Sequence, residues 1–78
     1  MSETPRRRPV GPTRREVVRG VARELGALGV ESPRVEAERL VASVLHVERA
    51  ELTTAAGERL EAGESAAVAR AVSRRLEG

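Results

Sequence analysis

The chain has 78 residues, enough for one small domain with a single core. It has no cysteine, which excludes disulfides and thiolate metal sites, and its bulky apolar residues are eleven Val and seven Leu. The longest apolar run is four residues, far too short to span a membrane, so we expect a cytoplasmic protein. The pI of 10.9 reflects residues 1–15, which carry five Arg and one Glu, whereas residues 16–78 carry nine Arg and eleven Glu.

Residues 1–12 are predicted to be a disordered basic tail. They contain three prolines, a glycine and the consecutive Arg6, Arg7 and Arg8, and they cannot bury apolar area. The three arginines favour at most weak, non-specific binding to nucleic acid, and a solvated tail is the simpler interpretation.

The first helix is predicted to begin at Thr13. Thr13 and Glu16 have the spacing of a capping box, in which each side chain accepts the backbone amide of the other residue. Gly29 is expected to end the helix in the left-handed conformation. The stripe predicted to face the core is Val17, Val18, Val21, Ala22, Leu25 and Leu28.

The second helix is the most clearly marked element. Ser32 is predicted to cap it, and Pro33 occupies the first helical position, where no amide proton is needed. Glu36 and Glu38 lie near the amino end, where the helix dipole favours negative charge. The predicted apolar stripe is Val35, Ala37, Leu40, Val41, Val44 and Leu45.

Two further helices are predicted, a short one from about Glu48 to Ala56 and a last one over residues 62–77. Ala50, Leu52 and Ala55 are expected to face inward from the short helix. The stripe of the last helix is Ala66 or Ala67, Val68, Ala71, Val72 and Leu76. No segment alternates with period two, so the fold class expected for residues 13–78 is all-α, a small bundle of four or five short helices.

No catalytic, cofactor-binding or metal-binding residues are predicted. His46 is the only imidazole, and no Asp, Cys or second His accompanies it. The paired carboxylates are expected on solvated helix faces, and the scattered glycines form no phosphate loop. The second helix combines arginines with glutamates that phosphates would repel, which disfavours a DNA-reading helix. We therefore expect the isolated chain not to be an enzyme.

The segment from Gly29 to Leu52 resembles the amino-terminal domain of the release-factor glutamine methyltransferases, the PrmC/HemK family. The likeness is strongest in one run: Ser32, Pro33, Arg34, Val35, Glu36, Ala37 and Glu38. A Leu-rich helix follows, then a short helix beginning near Arg49, and Arg74, Arg75 and Gly78 fall where the family has an Arg pair before a glycine. His46 stands where the family usually has Gly.

The resemblance implies a helical domain joined, in full-length members, to a Rossmann-like domain that binds S-adenosylmethionine. Such enzymes methylate the Gln of the Gly-Gly-Gln loop of class I release factors, and the helical domain is expected to engage the factor. None of the family's catalytic residues is present in this chain.

We predict that the partner surface lies on the exposed face of the second helix. It would include Arg34, Glu38 and Arg39, which flank the motif without joining the apolar stripe. The alternative is a free-standing helical interaction module, or a nucleic-acid-associated adaptor using its Arg-rich tail.

Overall fold

The computed structural model describes residues 11–77, and all structural statements below concern those residues. They form four helices and no strand: α1 (Arg14–Ala27), α2 (Pro33–Leu45), α3 (Glu51–Thr54) and α4 (Ala62–Glu77). Helix α2 is central, because it packs against both α1 and α4, whereas the short α3 touches α1. The predicted all-α bundle is confirmed. None of the four helices is long and apolar enough to cross a bilayer.

The predicted capping box at the start of α1 is present. The backbone N–H of Glu16 donates to Thr13 Oγ1 at 3.1 Å, and the N–H of Thr13 donates to Glu16 Oε1 at 2.9 Å. Each bond satisfies an amide that helix geometry leaves without a partner, so the start of α1 is fixed at Thr13.

The segment before α1 is held against the segment before α4, and we call this pairing of residues 11–15 with residues 56–60 the clasp. Leu60 N–H donates to Pro12 O at 2.9 Å, and the first two amides of α1, Arg14 and Arg15, donate to the carbonyls of Glu58 and Ala56. The guanidinium of Arg59 also reaches Gly11 O at 2.8 Å. Gly11 and Pro12 belong to the segment predicted as a tail, and in the structure their carbonyl oxygens accept these hydrogen bonds of the clasp. Residues 1–10, with Arg6, Arg7 and Arg8, lie outside the described residues.

Helices α1 and α2 end in the same way. Gly29 has φ 84° and His46 has φ 58°, so both adopt the left-handed conformation. The next residue donates back to the carbonyl five positions earlier, Val30 to Leu25 at 3.2 Å and Val47 to Ala42 at 3.0 Å. These bonds define a Schellman motif, which satisfies carbonyls that the helix leaves free. The predicted ending at Gly29 is confirmed.

Ser32 differs from its prediction. It occupies the position before α2, and its carbonyl accepts the N–H of Glu36 at 3.0 Å, but its side chain makes no capping hydrogen bond. Its ψ of 72° is far from the 162° of Thr13, so the backbone lacks the extended conformation that aims a capping hydroxyl at the helix. The start of α2 therefore depends on Pro33 and on packing.

The third helix is shorter than expected, four residues instead of about nine. Most backbone bonds between residues 48 and 58 join positions three apart, for example Leu52 to Arg49 at 3.1 Å, so the flanks are tight turns. Leu52 is buried as predicted, whereas Ala50 is exposed and Ala55 half-buried. A segment this short with two threonines cannot propagate an α-helix by itself.

The core confirms most of each predicted stripe and corrects its ends. Leu28, which follows the last residue of α1, is 62% exposed, and Leu76, in the last turn of α4, is 41% exposed. The prediction omitted Ala42 and Leu60, which are buried. Leu60 lies outside the helices, between α3 and α4, where helical periodicity gives no signal. The buried set is Val18, Val21, Leu25, Ala37, Val41, Ala42, Leu52, Leu60, Val68 and Val72.

Candidate functional site

Two residues of the motif at the start of α2, Pro33 and Ala37, pack this helix against the rest of the bundle. Pro33 lies beside the last turn of α1, where a Cβ on Gly26 would be 3.7 Å from its Cγ. Ala37 is fully buried, at a position where only a small side chain leaves room for close helix packing. These residues position the rest of the motif by fixing α2 against α1.

Glu38 is the most connected charged residue of the motif. Its side chain is 19% exposed, with Oε2 3.2 Å from Arg34 Nε and Oε1 3.2 Å from Arg49 Nε. Arg34 lies one turn earlier on α2, whereas Arg49 comes from the segment before α3. One carboxylate therefore orients two guanidinium groups and ties α3 to α2.

Glu36 makes the second link between elements. Its Oε1 lies 3.9 Å from Nη2 of Arg75 in the last turn of α4. Arg75 belongs to the Arg pair on which part of the resemblance rested, so that pair serves, through one of its members, to join α4 to α2. Both side chains are substantially exposed, and the stabilisation from such a pair is about 0–1 kcal/mol.

Arg34 of the motif and Arg39, the residue that follows the motif, are exposed charges of α2. The Arg34 side chain is 72% exposed and uses only its Nε toward Glu38, so its two terminal nitrogens face solvent. Arg39 is exposed and forms no ion pair with any residue in the range 11–77. The predicted surface thus divides into two exposed cations and one half-buried anion that orients the first of them.

A crevice of about 160 Å³ lies beside this surface, where α1, α2 and α3 meet. Its floor is apolar and consists of Val18, Leu52 and Ala56, while Arg15, Arg34, Glu38 and Thr53 form its walls. The sequence did not predict Arg15 or Thr53 as members of a binding surface. The i,i+4 spacing of Arg34 and Glu38 is visible in the sequence, but the approach of α1 to these residues appears only in the fold.

A larger surface groove of about 630 Å³ runs between α1 and α4. Apolar residues such as Val17, Val21, Val72 and Leu76 line it, with Glu16 and Glu24 among its charged members. Ser65 Oγ also lines it and is buried without a hydrogen-bond partner among the described residues. No cluster of three or more potential metal ligands occurs in residues 11–77.

Many of the carboxylates have structural partners. Glu16, Glu51 and Glu64 each accept a backbone N–H at the start of a helix or just before it, at 2.9 to 3.4 Å. Glu58 lies 3.6 Å from Arg14 in the clasp. For Glu16 the hydrogen bond from the Thr13 backbone lowers the pKa, and the charges of Arg59 and Arg15 act in the same direction. These carboxylates cap helices and pair charges.

The chain is similar to a known family of protein domains. The family model described as PrmC N-terminal domain matches residues 16–78. This range contains α2, α3 and α4 completely and α1 from its third residue onward. No curated protein and no solved structure matches the chain.

Proposed function

Because this chain belongs to the family of PrmC N-terminal domains, we propose that it is the domain by which a release-factor glutamine methyltransferase engages its protein substrate. In the full-length enzyme a second domain would bind S-adenosylmethionine and transfer its methyl group to the Gln of the Gly-Gly-Gln loop of a class I release factor. The observation that carries the proposal is the family match, which extends over nearly the whole bundle.

The distribution of contacts in the motif supports a binding role. Pro33, Glu36 and Ala37 fix α2 in the bundle, whereas Arg34 and Arg39 have guanidinium groups facing solvent. A rigid helix that presents two exposed arginines, one of them oriented by Glu38, is suited to recognising an acidic protein surface, because Arg binds carboxylates in a fixed planar geometry.

The carboxylates of the described residues support binding rather than chemistry. Six of the eleven glutamates between residues 11 and 77 cap backbone amides or pair with arginine. Acid–base catalysis requires carboxylates in an enclosed site that shifts their protonation equilibria. In this proposal the domain holds and orients the release factor, and the chemistry belongs to the other domain.

The test is methylation of a purified class I release factor by the full-length enzyme that contains this domain. Replacing Arg34 and Arg39 together by Glu should raise KM for the release factor about tenfold or more with kcat little changed, because binding is lost and the reacting groups are untouched. Replacing Arg19 and Arg70 together by Glu, an equal charge change at exposed positions of α1 and α4, is the matched control. Unchanged KM in the double variant, or an equal effect in the control, would contradict the proposal.

A further inference from the structure

The crevice between α1, α2 and α3 carries an excess of positive charge. Arg15 and Arg34 stand on its walls, and Arg49 reaches the far oxygen of Glu38. Against these three guanidinium groups there is one carboxylate, that of Glu38. Two positive charges are therefore left without a counter-ion among the residues that line the crevice and their ion-pair partners.

The donors around the crevice are available to a ligand. A guanidinium has five N–H donors, and Arg34 uses one of them, its Nε, toward Glu38. The Arg15 side chain forms no ion pair with a residue of the range 11–77, although its backbone amide is fixed by the bond to Ala56 O at 3.0 Å. The Thr53 hydroxyl adds a neutral donor at the same wall.

The apolar floor of the crevice favours an anion that has an apolar part. Val18 and Leu52 are buried core residues whose surfaces close the bottom of the crevice. A volume of about 160 Å³ corresponds to roughly five water molecules in the liquid. An extended side chain with methylene groups and a terminal carboxylate would cover the apolar floor and reach the arginines. A phosphate group has no apolar part that would cover the floor.

We propose that this crevice is a binding site for a glutamate side chain of a protein partner, whose carboxylate lies between Arg15 and Arg34 while its methylene groups rest on Val18 and Leu52. Glu38 is a positioning residue, because it holds Arg34 at the wall through Nε and leaves the terminal nitrogens free. That the acid belongs to a release factor rests on the proposed function; the site itself does not.

The test is an NMR titration of the 78-residue chain with N-acetylglutamate α-amide, a capped glutamate side chain, at constant ionic strength. We expect saturable shifts of the Thr53 and Ala56 amides and of the Leu52 methyl groups. Arg15→Gln and Arg34→Gln should each weaken binding about five- to tenfold, because each removes a charged donor. Arg34→Lys should fall between wild type and Arg34→Gln, since it keeps the charge and loses the planar fork.

Two further probes and one matched variant decide the result. N-acetylglutamine α-amide should produce no saturable shifts at the crevice, and Arg70→Gln should bind like wild type. Equal shifts with the glutamine compound, or equal weakening by Arg70→Gln, would overturn the proposal. Inorganic phosphate binding more tightly than the glutamate compound would overturn it in favour of a nucleic-acid phosphate. If one arginine variant loses the chemical-shift dispersion of a folded protein, the other arginine variant is used instead. Each of the two variants tests the site by itself.

The titration and the methylation assay together distinguish the crevice proposal from the proposed function. If the glutamate compound binds the crevice while the Arg34 and Arg39 double variant methylates release factor normally, only the proposed function fails. If release-factor methylation depends on Arg34 and Arg39 while the glutamate compound does not bind in the crevice, only the crevice proposal fails.

Discussion

Oε1 of Glu38 lies 3.2 Å from Nε of Arg49, and this contact joins the second turn of α2 to the segment that precedes α3. The short α3 has one buried residue, Leu52. The ion pair therefore has a larger share in placing α3 than a comparable pair would have on a long helix.

Replacing Arg49 by Ala should lower the free energy of unfolding by about 0.5–1 kcal/mol, the range for a partly exposed ion pair. The control is Arg39→Ala, which removes an equally charged side chain that has no ion-pair partner among the described residues. Urea denaturation followed by circular dichroism measures both variants. A loss for Arg39→Ala as large as that for Arg49→Ala would show that the ion pair has no specific role.

Replacing each of two glycines by Ala should change the stability of the domain in opposite directions. A Cβ on Gly11 would lie 2.3 Å from the carbonyl oxygen of Leu60, so Gly11→Ala must displace the clasp and should destabilise the domain by about 1–3 kcal/mol. A Cβ on Gly20, inside α1, meets no atom within 4 Å, and Gly20→Ala should stabilise by about 0.5–1 kcal/mol. Thermal unfolding of the pair tests both signs, and a gain from Gly11→Ala would refute the close approach.

His46 holds a position that glycine occupies in the equivalent motif at the end of α1. A left-handed conformation costs a residue with a Cβ about 1 kcal/mol, so His46→Gly should raise stability by up to that amount. His46→Ala, which keeps the Cβ, should bring no gain. The unfolding midpoints of the two variants, compared with wild type, give the answer; equal gains would point to removal of the imidazole instead.

The capping box predicts a dependence of stability on pH. The pKa of Glu16 is lowered in the fold, mainly because its carboxylate accepts the Thr13 amide, so the charged form is favoured by folding. This contribution is complete above the unfolded-state pKa and is lost as the pH falls through the folded-state pKa. Glu16→Gln should thus flatten the acid side of the stability curve. Glu24→Gln, on the same helix without a side-chain hydrogen bond to a described residue, should retain the wild-type slope.

The sequence predicted the helices that carry their own start and stop signals. Thr13 with Glu16, Gly29 and Pro33 are local features whose effects depend on backbone geometry within a few residues, and the structure confirms each of them. Core positions in the middle of α1, α2 and α4 followed from periodicity for the same reason. Ser32 shows the limit of this reasoning, because a capping bond depends on a ψ angle that residue type does not fix.

The contacts that could not be predicted join segments that lie far apart in the chain. Leu60, whose backbone belongs to the clasp, is buried, and Arg49 meets Glu38 because the segment before α3 returns to the start of α2. The crevice needs Arg15 from one helix and Arg34 from another. Spacing within one helix gives no information on such pairs. The residues proposed to bind the partner were therefore only partly recognisable from the sequence.

The clasp also bears on where this domain physically starts. The family match begins at Glu16, yet a fragment cut there would lose the capping threonine and the acceptor for Leu60 N–H, and it would leave the carbonyls of Ala56 and Glu58 without donors. The limit defined by sequence similarity and the limit defined by hydrogen bonding differ by five residues. A fragment that keeps every hydrogen bond of the clasp must include Gly11.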